Sequence, residues 1–534
     1  MSLEQTLSTQ LSKHPKPQGL KFTYGTAGFR TKAVDLDYVN YTVGILASLR
    51  SKYLGGKTVG VMITASHNPP EDNGVKVVDP LGSMLESSWE AYATTLANSS
   101  HEELLTNINK LVEELKIDLE IQAKIVIARD SRESSERLSN ASIDGFKSVP
   151  NTTYQDYGLF TTPQLHYITR TLNDPKFGEV SEEGYYKKMA ESFKQIYKLA
   201  GGNEKIDITI DSANGVGAPK ITELLSKYLS EEVSFNVVNG NYTHPELLNF
   251  QCGADFVKTG QKLPKNVESP IPNKLYASFD GDADRLICYY IDPEFKLLDG
   301  DKLSTLIALF LQQLFEKIDS NKLSLNIGVV QTAYANGSST KYVEDVLKIP
   351  VRCTPTGVKH LHHEAENFDI GVYFEANGHG TVIFNPEAEA KIFNYKPDES
   401  NSEEVKAIKV LQEFSKLINQ TVGDAISDLL AVLIIVHYLN LTPESWNKSY
   451  TDLPNKLIKV IVPDRTIFKT TNAERTLVEP VGLQAKIDQL VALYPNGRSF
   501  VRASGTEDAV RVYAEADTRS NVEALSAAVA ELLK

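Results

Sequence analysis

Cysteine is scarce in this 534-residue chain. Cys252, Cys288 and Cys353 lie far apart, with no CxxC pair and no other spacing suited to a metal. That pattern excludes a disulfide-stapled scaffold and a zinc ribbon. Long apolar runs are missing too. The longest, Leu429 to Val436, falls far short of the ~20 residues that span a bilayer and is expected to be a buried helix. The opening MSLEQTLSTQLSKHPKP has no apolar signal core, so a reducing, cytoplasmic setting is expected. An excess of positive charge is also absent. The 69 acidic against 55 basic residues give −14, which repels nucleic acid and anionic membrane over most of the surface. Neither is expected as a partner, and an anionic substrate must meet a locally built basic pocket.

The length exceeds what one core supports, since single cores stop growing near ~250–300 residues. A composition of 41% hydrophobic and 23% charged residues is that of an ordinary folded chain, so several domains are expected. The dominant rhythm is a short β-branched run, a polar or glycine-containing turn, then an amphipathic stretch. TVGVMI (58–63) before TASHNPP, KIVIA (124–128) before RDSRESSERL, IDITI (206–210) and NIGVV (326–330) all follow it. The rhythm recurs in three successive stretches, which predicts three copies of one α/β plan. Breaks are expected near 172–184, 292–301 and 440–455, giving domains at 1–180, 181–298, 299–444 and 445–534. In the last, KLIKVIVP, SFVRASGTE and AVRVYAEA read as strands and 520–533 as a closing helix, a small α+β domain.

Four segments carry chemistry. Ser66, in TASHNPPEDNGVK, follows a strand-like run and precedes two prolines, which predicts an exposed hydroxyl at a strand end. His67 is adjacent, and the Asn73-Gly74 pair reads as a turn that folds Lys76 back toward the serine. A lysine there can neutralise a phosphoryl oxygen or shuttle a proton. The plain alternative is an ordinary turn or capping serine. In FDGDADRL, Asp280, Asp282 and Asp284 alternate on a loop; carboxylates this close repel unless a cation lies among them, and hard oxygen ligands suit Mg²⁺. A solvated acidic turn and an aspartyl-phosphate enzyme are the other readings. An EF-hand counted from Asp280 fails, because Arg285 and Ile291 stand where Gly and Glu are needed.

The third segment joins TPTGVKHLHHEA (354–365), with Thr356 and Gly357, to FEANGHG (374–380). Glu375 and Asn377 offer the acceptor and amide that fix sugar hydroxyls and an acetamido group, and His379 can act as acid, base or phosphate contact. A metal site from His360, His362 and His363 is conceivable, but HExxH is absent and helix-surface histidines are expected. In FVRASGTEDAVRVYAEA, Arg502, Ser504, Gly505, Thr506 and Arg511 gather two guanidiniums, two hydroxyls and a glycine amide around one turn, an anion cradle. A salt-bridged surface loop is the alternative. A weaker patch, YGTAGFR (24–30), brings Arg30 to an anion.

TASHNPPEDNGVK, DGDADR, FEANGHG and RASGTEDAVR, in that order over the full length, resemble the motifs of the α-D-phosphohexomutase superfamily. FEANGHG, in place of the more usual GExSGH, and TPTGVKHLHHEA are similar to its amino-sugar branch. The resemblance implies interconversion of N-acetylglucosamine 6-phosphate and 1-phosphate through a phosphoserine and a 1,6-bisphosphate, for UDP-N-acetylglucosamine synthesis. It makes Ser66 the phosphoserine and gives one Mg²⁺ per chain, held by Asp280, Asp282, Asp284 and a phosphoserine oxygen. Arg285, Thr356, Gly357, Glu375 and Asn377 would meet the sugar phosphate. Arg502, Ser504, Gly505, Thr506 and Arg511 would grip the phosphate not being transferred. Arg30, His67, Lys76 and His379 would assist transfer, with the base left open. The implied fold is three related α/β domains with mixed, largely parallel sheets plus an α+β domain, heart-shaped around a central cleft, in a monomer. A phosphoglucomutase or phosphomannomutase, a metal-dependent phosphohydrolase and a non-catalytic sugar-phosphate sensor are the competing functions.

Overall fold

The β-branched runs singled out above form strands, and helices follow them, except that TVGVMI turns through TASHNPP into the strand Asp72–Val78 instead of a helix. The structure is a computed structural model that describes residues 3–504 and 508–533. It comprises two compact units. One holds the chain up to Leu297 together with Glu413–Tyr438, and the other holds Leu298–Gln412 and the chain from Leu439 onward.

The first unit contains two five-stranded sheets. In the first, the spatial order is Phe29–Lys32, Asp72–Val78, Thr58–Ile63, Ala123–Arg129, Thr152–Leu159. The last three run parallel, and Asp72–Val78 is antiparallel to both its neighbours. In the second sheet Val233–Val238, Ile206–Asp211 and Tyr276–Phe279 run parallel, and Leu286–Ile291 lies antiparallel beside the last, with Phe295–Leu298 at the edge. The second unit repeats the plan. Val351–Thr354, Ile327–Thr332 and Ile370–Phe374 are parallel, and Gly380–Phe384 is antiparallel to the third.

All three sheets therefore end in the same hairpin: the outermost parallel strand turns and returns as an antiparallel neighbour. The three turns are residues 64–71, 280–285 and 375–379, so Ser66, the aspartates and Glu375 occupy equivalent places. The order along the chain differs. In the first sheet the hairpin comes first, and in the other two it comes last. Three copies of one α/β plan, expected from the rhythm of the sequence, are present.

A fourth sheet is wholly antiparallel: Asn455–Ile461, Ala509–Glu515, Arg498–Ala503. Its core of Val510, Val512 and Val501 is closed by Ile487 of the helix Leu483–Val491 and by Leu525 and Val529 of Arg519–Glu531. This is the α+β element expected at the end of the chain.

Leu429–Val436 falls in the helix Ala425–Tyr438, which is buried from Ala425 to Ile435. A helix apolar on all sides has no face to offer water. It packs in the first unit, where Asp424 accepts the hydroxyl hydrogen of Tyr185 at 2.8 Å, although it follows the third sheet in sequence. No helix among the described residues is long and apolar enough to cross a membrane. The three cysteines are free.

Candidate active site

Ser66 lies in the first hairpin turn with a left-handed backbone, φ +52°, unusual for a residue with a Cβ. Its hydroxyl donates to Asp280 Oδ2 at 2.6 Å, and His67 Nδ1 lies 3.4 Å from the same oxygen. The expectation of an exposed hydroxyl is corrected: the residue is 1% exposed. The aspartate loop covers it, and Gly281 permits the approach, since a Cβ there would lie 2.7 Å from the Ser66 carbonyl oxygen. Asn73-Gly74 also differs from expectation. It lies inside the strand Asp72–Val78 rather than in a turn, because the Asn73 amide is anchored to the Ser134 and Ser135 hydroxyls. Lys76 reaches the site from the strand itself, with Nζ 3.7 Å from Asp282 and 3.5 Å from Asp284.

Asp280, Asp282 and Asp284 are all buried, and their ligand oxygens lie within 4.8 Å of one another. Asp280 Oδ1 accepts the backbone N–H groups of Asp284 and Arg285, and Asp282 Oδ2 accepts the Thr162 hydroxyl at 2.6 Å. Asp282 Oδ1 is buried with no hydrogen-bond partner. Burial, then the fields of Asp284 and Asp282, push the Asp280 carboxyl well above its usual range, and Arg285 offsets this only in part. Three buried carboxylates with an unspent oxygen are the donor set that a hard divalent cation fits.

Cationic groups surround this cluster. Arg285 Nε stands 3.8 Å from Asp280 and 3.9 Å from Asp284. Arg30, on the edge strand Phe29–Lys32, donates to Asn68 Oδ1 at 3.4 Å and lies in the field of Asp282 and Asp284. Burial, with Arg285 and Arg30 adding to it, pushes His67 down to about 2, so its ring is neutral near pH 7.

The residue that the sequence reading passed over is Arg132, in the turn that follows the strand Ala123–Arg129. Its side chain is fully buried, and its five N–H donors meet five acceptors. Nε pairs with Asp130, one terminal nitrogen serves the Pro69 and Asp72 carbonyls, and the other serves those of Ser66 and Asn68. Asn249 adds hydrogen bonds to the Ser66 and Asn68 carbonyls. Asp130 also accepts the Thr64 hydroxyl, which in turn accepts the Ser66 N–H. The segment RDSR stood in view as a strand end. Its aim at a turn sixty residues earlier is a tertiary fact.

In the second unit, the third hairpin carries Glu375, Asn377 and His379. Asn377 Oδ1 accepts the His379 N–H, and its Nδ2 donates to Glu375. The amide therefore builds its own turn as well as offering a donor. A Cβ at Gly300 would lie 1.9 Å from the Glu375 carbonyl, so glycine lets the helix Gly300–Phe315 start directly under this loop. His362 is buried, which corrects the expectation of helix-surface histidines; it packs beside Tyr373, its Nδ1 3.1 Å from the hydroxyl, while His360 and His363 are exposed.

Arg502 and Arg511 are direct cross-strand partners. Arg502 pairs with Glu474 at 3.2 Å, and the other Glu474 oxygen accepts both the N–H and the hydroxyl of Thr356. Ser504 donates its N–H to Ala509 at 2.8 Å. Gly357, at φ +128°, leads into the helix Val358–Ala365. Gly505 and Thr506 lie outside the described residues.

A serine on the hairpin of one sheet, hydrogen-bonded to an aspartate cluster on the matching hairpin of the next, with the plan repeated a third time, defines an α-D-phosphohexomutase. Residues 178–287 and 299–441 match the family models "Phosphoacetylglucosamine mutase AMG1" domain II and domain III. Residues 45–104 with 96–179, and 457–532, match phosphoglucomutase/phosphomannomutase alpha/beta/alpha domain I and C-terminal domain. The phosphoacetylglucosamine mutase of Candida albicans is 77% identical over 100% of both chains. A crystal structure of an N-acetylglucosamine-phosphate mutase in its substrate complex is 78% identical over 100% of both chains, with a TM-score of 0.98. The Aspergillus fumigatus N-acetylphosphoglucosamine mutase, solved with GlcNAc-6P and magnesium, is 48% identical over 100% of this chain and 98% of that one, with a TM-score of 0.93. The chain belongs to the phosphoacetylglucosamine mutase family and is an isomerase, an intramolecular phosphotransferase.

Proposed function

We propose that Ser66 is the phosphoryl relay in the interconversion of N-acetylglucosamine 6-phosphate and N-acetylglucosamine 1-phosphate. The observation that carries this is the 2.6 Å hydrogen bond from the Ser66 hydroxyl to Asp280 within a buried trio of aspartates. Phosphorylated Ser66 gives its phosphoryl group to O1 of the 6-phosphate sugar, whose hydroxyl proton passes to a base. The resulting 1,6-bisphosphate turns around and returns its C6 phosphoryl group to the serine, and the O6 oxygen takes up a proton. Asp280, Asp282 and Asp284 would hold one Mg²⁺, which when bound supplies positive charge against the phosphoryl oxygens. Lys76, Arg30 and Arg285 add fixed cations beside the same carboxylates, and neutral His67 contributes an acceptor or a donor without net charge. Proton transfer falls to Lys76 or His379. Glu375 and the spare Asn377 donor would orient the sugar, with Thr356 and Gly357 beside them. Arg502, Ser504, Gly505, Thr506 and Arg511 would hold the phosphate that is not moving.

The reading extends to a four-domain division at 1–180, 181–298, 299–444 and 445–534, a monomeric cytoplasmic enzyme, and supply of the precursor of UDP-N-acetylglucosamine. Its test is ³¹P NMR of N-acetylglucosamine 6-phosphate with the purified protein and Mg²⁺. A 1-phosphate signal that vanishes with chelator and returns with Mg²⁺ is expected, together with a phosphate on Ser66 by peptide mass spectrometry. Steady release of inorganic phosphate, or binding without isomerisation, would replace the mutase with a hydrolase or a sensor.

A further inference from the structure

Glu474 sits at the tip of the hairpin Lys469–Thr471/Thr476–Glu479, on three successive residues with left-handed backbone: Asn472 at φ +53°, Ala473 at +54° and Glu474 at +66°. Asparagine tolerates this region, whereas for Ala473 and Glu474 it is disfavoured because the Cβ crowds the following carbonyl oxygen. Arg475 closes the tip by donating to the carbonyl and side-chain oxygens of Asn472. The outcome of that unfavourable backbone is a carboxylate delivered to an anion-binding arrangement. One oxygen takes the Thr356 N–H at 2.9 Å and its hydroxyl at 2.6 Å, and the other faces Arg502 at 3.2 Å. Tyr334 lies in the field of the same guanidinium. A backbone N–H, a hydroxyl and an arginine are the donors that grip a phosphoryl group elsewhere.

We propose that the Glu474 carboxylate is the resident occupant of the Arg502 seat and that the non-transferred phosphoryl group of the substrate displaces it. This rests on the reading of Arg502 as a contact of the phosphate that is not moving, and it shifts Thr356 from the sugar side to that seat. Glu474 is then a specificity-determining residue. A carboxylate supplies one negative charge, whereas a phosphomonoester near neutral pH supplies about −1.5 to −2. Arg502 and Arg511 share one level of the sheet, so the more highly charged ligand gains more from the pair. Singly charged anions gain no such advantage over the resident carboxylate, and the seat selects phosphoryl groups against them.

The test is calorimetric titration of wild type, Glu474→Gln and Glu474→Ala with inorganic phosphate and with N-acetylglucosamine 6-phosphate at fixed ionic strength. Removing the internal competitor should tighten both ligands by roughly three- to tenfold, the range of a partly exposed charged contact, and acetate should bind the variants better relative to phosphate than it binds wild type. A hairpin held merely for stability by this carboxylate would lower the melting temperature and leave both affinities unchanged or weaker in both variants. That outcome overturns the proposal, as does a failure of phosphate to bind any of the three proteins. If the variants tighten phosphate but wild type does not isomerise the sugar, the mutase reading falls and the occupied seat stands. If wild type isomerises and the variants do not tighten, the reverse holds.

Discussion

The turn around Ser66 and the seat around Arg502 are both proposed to meet phosphoryl groups, yet they are held in opposite ways. The Ser66 hairpin is wired from beneath by four donors of a fully buried arginine whose fifth goes to Asp130, by Asn249 and by a chain from Asp130 through Thr64 to the Ser66 N–H. Arg502 and Glu474 keep side-chain exposures of 21% and 19%, and one carboxylate joins Arg502 to Thr356. On the proposed roles, the difference follows from the work. A phosphoryl transfer loses rate steeply with misplacement, so the nucleophile must be stiff. The group that holds the other phosphate must let go each time the bisphosphate turns around, so its contacts must be exchangeable.

Breaking the stiff end should give the largest effect. Ser66→Ala should lower isomerisation by a factor on the order of 10⁴ or more, with N-acetylglucosamine 6-phosphate affinity changed only a few-fold by calorimetry. Activity near wild type would transfer the relay to another residue. Arg132→Lys keeps the charge but replaces five planar donors with three on one atom, leaving at least two of the five acceptors unserved. Here kcat should fall about 10- to 100-fold at nearly constant KM, because the damage is to alignment rather than to substrate contacts. Equal loss in KM alone would move Arg132 into the binding apparatus.

At the exchangeable end, Arg502→Lys should raise KM by roughly tenfold, with a smaller change in kcat, since a lost bidentate fork weakens grip more than chemistry. The smallest effect concerns the support of Thr356. His362, six residues on in the helix Val358–Ala365, is pushed down to about 4 by burial. Its folded value lies below the unfolded 6.5, so the stability it contributes is complete above pH 6.5 and is lost as pH falls from there through about 4. The limit is roughly 3 kcal/mol. Urea midpoints should therefore fall between pH 7 and 5 in wild type and fall less in His362→Gln; parallel slopes would assign the acid sensitivity elsewhere.

The strands, the three aspartates and the arginine pair were legible because each is local. A β-branched run, a DGDAD string and an RASGTE turn announce themselves within a few residues, and the motifs together sufficed to place the chain in its family. Ser66 was legible as a candidate, but its burial was not, because the covering loop comes from more than two hundred residues away. Asn73-Gly74 misled for the same reason. The dipeptide favours a turn, and the Ser134 and Ser135 hydroxyls hold it in a strand. His362 read as a surface residue on its helix until Tyr373 of the neighbouring strand was packed against it.

By itself, then, the order of amino acids determined which hairpins carry hydroxyl, carboxylate and guanidinium, since periodicity and turn chemistry act over short spans. Only the tertiary structure decided that Arg132 spends four donors on carbonyls of the serine hairpin and the fifth on Asp130, that Asp282 keeps an oxygen unspent, and that Glu474 sits beside Arg502. Those contacts join side chains far apart in the chain, and pairings of that kind depend on how sheets and hairpins pack rather than on any local pattern.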